Sequence, residues 1–198
     1  VSSHFPSDER TSLLGAALLI AFHQLAEDSF HAPTPRQKLA LAELAAEEMT
    51  VLKTLPPFID APIVRRADAA VVDFYCRIQP QDWHERLVKT YVSFNLVQDF
   101  LRAIIADDES VGDAARAHLS SSAHVDFVQE ELRPALTDDQ QLTARLSLWG
   151  RRVMGETIAV VRHLIDAEPS VLPGDSAATM TELTRAHSQR MSALGLAP

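Results

Sequence analysis

Prolines divide this chain into long stretches that carry a helical period, and none of those stretches carries a strand period. Pro6, Pro33, Pro35, Pro56, Pro57, Pro62, Pro80, Pro134, Pro169 and Pro173 fall between segments whose apolar residues recur every three or four positions. Proline lacks an N–H and its ring clashes with the preceding turn, so it marks where helices start and stop. No run alternates apolar with polar residues and is rich in Val, Ile, Thr and aromatics, and no Asn-Gly or Asp-Gly pair announces a hairpin. The chain reads as all-α.

The segments can be followed in order. The first, residues 8 to 30, puts Leu14, Leu18, Ala21, Phe22 and Leu25 on one face, with Ser7 as its N-cap. The second starts at the cap Thr34 with Pro35 in the favoured first position and runs to Leu55, its stripe being Leu41, Leu44, Ala45, Glu48, Val51, Leu52 and Leu55. A shorter helix covers 63 to 77, and Asp82 caps a long one to Ala106 through Leu87, Tyr91, Phe94, Leu101 and Ile105. A fifth segment, 109 to 133, carries Ala117, Ser121, His124, Val128 and Leu132 inward. Thr137 and Gln140 form a capping box for a sixth helix to Ala167, with Leu142, Leu146, Trp149, Val153, Glu156, Val160 and His163 in register. The last, 176 to 193, ends at Gly195.

The longest of these segments run for about twenty residues or more, roughly 30 Å each, the length of an antiparallel bundle. With 46% hydrophobic and 23% charged residues over 198, the composition is that of one globular domain spanning 1–198 that needs no metal or disulfide merely to hold together. The net charge of −9 argues against a nucleic-acid partner. No apolar run reaches the roughly 20 residues of a membrane span. The lone Cys76 fits a reducing compartment, and the N-terminus lacks a signal peptide's basic stretch, so the cytoplasm is the expected location. The chain opens on Val1 rather than Met, which leaves room for a leader upstream.

Four polar residues interrupt the apolar stripes: Glu48, His124, Glu156 and His163. A charge inside a bundle costs several kcal/mol unless it is paired or binds metal. Di-iron bundles take one Glu from each of two helices and a Glu-x-x-His from each of two others, since i, i+3 spacing puts both ligands on one face. Here each motif is half present. Val51 stands where a His should follow Glu48, and Ser121 where a carboxylate should precede His124. Asp28-x-x-His31 has metal-like spacing but lies where a helix runs into a proline loop and reads as surface, and His23 with Glu27 reads as a solvated helix pair. Dinucleotide, phosphate-loop, serine-hydrolase and zincin motifs are absent.

The segments AFHQLAEDS (21–29), AAEEM (45–49), LVKTY (87–91), Ala123-His124-x-x-Phe127, LWGRRVMGE (148–156) and AHSQRMSALGL (186–196) resemble actinobacterial ferritin-like proteins related to the non-haem di-iron tRNA hydroxylase MiaE. The resemblance implies a ferritin-like antiparallel four-helix bundle with additional helices, and a metal pair held by inward carboxylates and histidines. Glu48 and His124 match ligand positions of that family, whereas Leu18, Val51, Phe94 and Ser121 stand where four other ligands would be. Leu, Val and Phe cannot bind a metal, and one Glu with one His cannot assemble a carboxylate-bridged iron centre. The expectation is therefore a non-catalytic bundle that has lost its di-iron centre, with no cofactor and a binding or protein-interaction role. Glu48 and His124 would form its buried pair.

Two other readings stand beside it. A MiaE-like iron hydroxylase would keep a reduced site from Glu48, His124 and Glu156, with His163 as a further ligand, although Glu156 and His163 lie two turns apart and about 10 Å is far for one ion. A binder of a small apolar ligand would use the vacated centre, walled by Tyr91, Phe94, Trp149 and Met154. A tRNA-facing mouth would rest on Arg151, Arg152 and Arg162. Pairing through the long helices into a homodimer follows from family analogy.

Overall fold

The computed structural model describes residues 6–198, with side chains from Glu9 onward. Among the described residues there are eight α-helices, one 3-10 turn and no strand: α1 (Pro6–His31), α2 (Pro35–Leu52), α3 (Pro62–Arg77), α4 (Trp83–Ile104), α5 (Asp113–Leu119), α6 (Ala123–Thr137), α7 (Gln140–Ala167), the turn Pro169–Val171, and α8 (Ser176–Ala193). The all-helical class and the bundle are as the sequence implies. The Ser7 side chain, expected as the first cap, lies outside the described ones.

Local chemistry sets most helix ends. Thr34 and Gln37 form a reciprocal capping box at α2, with Pro35 at the first position. Asp82 accepts the Glu85 N–H at 2.8 Å to open α4. At the end of α8, Gly195 takes φ +84°, and the N–H groups of Leu196 and Gly195 return to the carbonyls of Met191 and Ser192, a Schellman closure.

Three expectations of the sequence are corrected. The fifth segment is two helices, broken at Ser120, Ser121 and Ser122, where the Ser120 and Ser121 N–H groups turn back to the Ala117 and His118 carbonyls. Pro134 lies inside α6, near its end and on its exposed side, where water can satisfy the Glu130 carbonyl that proline leaves unbonded. Thr137 closes α6, and it is Asp139 that caps α7 by accepting the Leu142 N–H at 2.8 Å.

The long helices alternate in direction along the chain. α1 and α2 pair across the short connection 32–34, and α1, α3, α7 and α4 contact one another in a closed ring. Within that ring α4 and α7 run the same way, since the start of α4 meets the early part of α7 (Trp149 Nε1 donates to the Glu85 carbonyl) and both ends share one cluster with Ile104 and Leu164. α2 flanks α1 and is held on its other side by α5 and α6. Phe58, in the α2–α3 connection, lies so close over Gly15 that a Cβ there would come within 2.6 Å of its ring, so the loop seats only over glycine.

Three apolar clusters fill the interior. One gathers Leu14, Leu18, Phe100, Ile104 and Val161 at one end of the ring. A second joins Val88, Tyr91, Leu132, Leu146, Trp149 and Met191 at the other. A small third, Leu25, Leu41 and Ala45 with Phe22, Phe94 and Phe127 against them, fills the space between α1, α2, α4 and α6.

Candidate functional site

The candidate site lies where these clusters meet. Glu48, three-quarters of the way along α2, faces inward because Ala45 and Leu41, one and two turns earlier, set that face. Its Oε2 is 2.9 Å from Nε2 of His118, on the last turn of α5, and both side chains are largely buried. The hydrogen bond to Glu48 raises the His118 pKa above its ordinary 6.5 against the opposing effect of burial. The buried pair is thus Glu48 with His118, not with His124 as expected.

His124, in the first turn of α6, stacks on Phe94 with ring centroids 5.0 Å apart. Its Nε2 is sealed from solvent and has no hydrogen-bond partner, although the residue as a whole is only half-buried. Burial pushes its pKa down to about 4, so the ring is neutral near pH 7.

The remaining sequence candidates disperse. Glu156 is half-buried on α7 and accepts from Nε of Arg77 at 2.6 Å, on the α3 side. His163 is exposed rather than inward. Leu18 is buried in the main core, Val51 packs against it, and Ser121 is exposed in the turn before α6. Phe94, half-buried, puts its ring against His124. Among the described residues no three His, Cys, Asp or Glu side chains converge in a way that could hold an ion. The iron pair that the fold family implies does not fit this donor set, because one carboxylate and one imidazole are spent on each other and the next imidazole faces a benzene ring.

Beside the Glu48–His118 pair is a cavity of about 110 Å³ between α1, α3, α4 and α7. Leu18, Val71, Phe94, Val97 and Val161 give it a hydrocarbon wall, with Glu48 and His118 at one edge. Of the four wall residues expected from sequence, Phe94 lines it, whereas Tyr91 and Trp149 belong to the cluster at the other end and Met154 packs between clusters.

A second polar group, which sequence reasoning placed on the surface, is buried at the far end of α1. Asp28 is 2% exposed and accepts from Gln24 Nε2 at 2.7 Å, Thr90 Oγ1 at 2.5 Å and Arg86 at 2.9 Å. Burial raises its pKa against these hydrogen bonds. Lys89 is buried beside it with its Nζ 4.6 Å over the Tyr75 ring, and burial lowers its pKa. Glu27 bonds Arg86 rather than His23, and His31 and Cys76 are exposed. Arg86 and Lys89 lie on α4, some sixty residues from Asp28 in sequence, so no local spacing announces the cluster.

Arg151 and Arg162 are exposed, and Arg152 stacks on Trp149 while donating to the Arg77 carbonyl. Among the described residues no helix is long and apolar enough to cross a membrane. A search of curated proteins finds no match to the chain. The family model described as a ferritin-like domain of actinomycetes matches residues 10–172, from α1 through the 3-10 turn. With that match over most of its length, the chain belongs to the actinomycete ferritin-like domain family.

Proposed function

We propose that this ferritin-like bundle, related to the MiaE-type hydroxylases through its fold, works without a di-iron centre and binds a small apolar molecule in the cavity between α1, α3, α4 and α7. The observation that carries this reading is the cavity's hydrocarbon wall, which stands beside a hydrogen-bonded Glu48–His118 pair rather than beside a ligand set. Leu18 and Phe94 line it with side chains that have no donor atoms, so the space attracts hydrocarbon and not a hard cation. Buried apolar spaces on the order of 150 Å³ stay dry and take up benzene or xenon, which sets the scale for a cavity of about 110 Å³.

Benzene titrated into the isotope-labelled chain tests this reading. Amide shifts of Leu18, Val97 and Val161 should move together and saturate, while amides at the Asp28 end stay still. Absence of any saturable shift at the three wall positions would overturn the reading.

A further inference from the structure

The head group of the occupant can be read from the cavity's polar edge, an inference that rests on the apolar-ligand reading above. Glu48 is the one acid on the wall among the described residues and is 6% exposed. Its Oε2 faces His118, whereas its Oε1 accepts no hydrogen bond from the described residues. The other hydroxyls on the wall are spent locally, Ser93 on the Lys89 carbonyl and Thr157 on the Val153 carbonyl. Gln98 and Tyr75, both neutral, complete the polar set.

Charge accounting narrows the partner. A charged head of either sign would have to give up its water to a hydrocarbon wall whose one acid is already engaged by His118. A carbonyl or ether head brings acceptors alone and has no proton to give Oε1 of Glu48, which stays unpaired. A hydroxyl adds no charge and donates to the free oxygen, a charge-assisted hydrogen bond. We infer that the cavity takes a neutral alcohol the size of a single six-membered ring or a short branched chain, its hydrocarbon against Leu18, Val97 and Val161 and its hydroxyl donating to Oε1 of Glu48.

The test compares cyclohexanol, cyclohexanone and methylcyclohexane, three ligands of one shape, by titration into the full chain and into Glu48→Met. The wild-type chain should bind the alcohol at least tenfold more tightly than the ketone, which is about 1.4 kcal/mol. In Glu48→Met that ratio should fall to within about twofold while methylcyclohexane still binds. Equal binding of alcohol and ketone by the wild-type chain would overturn the head-group assignment and leave the apolar cavity standing. A preference that survives Glu48→Met would overturn the role of Glu48. Failure of all three ligands, together with benzene, would overturn the cavity reading itself. If Glu48→Met does not fold, the wild-type ratio decides.

Discussion

The middle of α1 and its C-terminal end treat buried charge in opposite ways. At Asp28 a carboxylate with almost no exposure accepts hydrogen bonds from Gln24, Thr90 and Arg86, and Lys89 packs beside it over the Tyr75 ring. Near Leu18 the polar groups are sparse: one Glu–His pair at the edge of an apolar cavity and, outside that wall, one imidazole with an orphaned Nε2. The dense cluster ties α1 to α4 and holds the bundle in register. The sparse one sets a single Glu–His pair against an apolar space, the arrangement on which the proposed binding role rests.

The largest effect should come from breaking the dense cluster. Asp28→Ala strands Arg86 and Lys89 without their buried counter-charge and should cost about 3–5 kcal/mol in urea unfolding. A loss below about 1 kcal/mol would mean that the cluster is solvated and the contrast false.

Acid should act next, and through the sparse region. His124 titrates at about 4 when folded against 6.5 when unfolded, so between those values the unfolded chain binds more protons and stability falls as pH drops. The loss should reach about 3 kcal/mol by pH 4, with His187, also held near 4 by burial, adding to the same limb. His118 acts on the other side. Its pKa is raised, so its contribution is full below 6.5 and declines as pH rises through the higher folded value. Unfolding free energies measured from pH 4 to 9 should therefore pass through a maximum, and His124→Leu should flatten the acid limb.

Smaller effects sharpen the same comparison. At pH 7, His124→Leu removes an unsatisfied buried nitrogen and should stabilise the chain by about 1 kcal/mol, where a substitution that strips a satisfied group would destabilise it. Glu48→Gln keeps the hydrogen bond to His118 but not its charge, and should cost about 1 kcal/mol or less by chemical unfolding. A loss as large as that of Asp28→Ala would place Glu48 among the structural braces.

Much of the fold was legible because its signals are local. Thr34, Asp82 and Gly195 act through their own backbone neighbours, and the apolar period of α1, α2, α4 and α7 needs no tertiary knowledge. The site was less so. Glu48 was found by its place on a stripe, but His118 was missed because reading 109–133 as one helix rotates it off the inward face. The three serines at 120–122 were the available signal for that break. Glu156 and His163 were misplaced for a related reason: over 28 residues a helix stripe drifts, and both fall on its margin in α7. Asp28 could not be recognised as buried from sequence, since its partners come from a helix some sixty residues away.

The account turns on the centre of the bundle holding no iron. Metal content by elemental analysis, on protein produced with iron supplementation and compared with a Glu48→Ala, His124→Ala double variant, tests this most directly. The prediction is well under a tenth of an iron atom per chain in both proteins. About two iron atoms per chain, lost in the double variant, would contradict it and restore a carboxylate-bridged centre of the kind its fold relatives use.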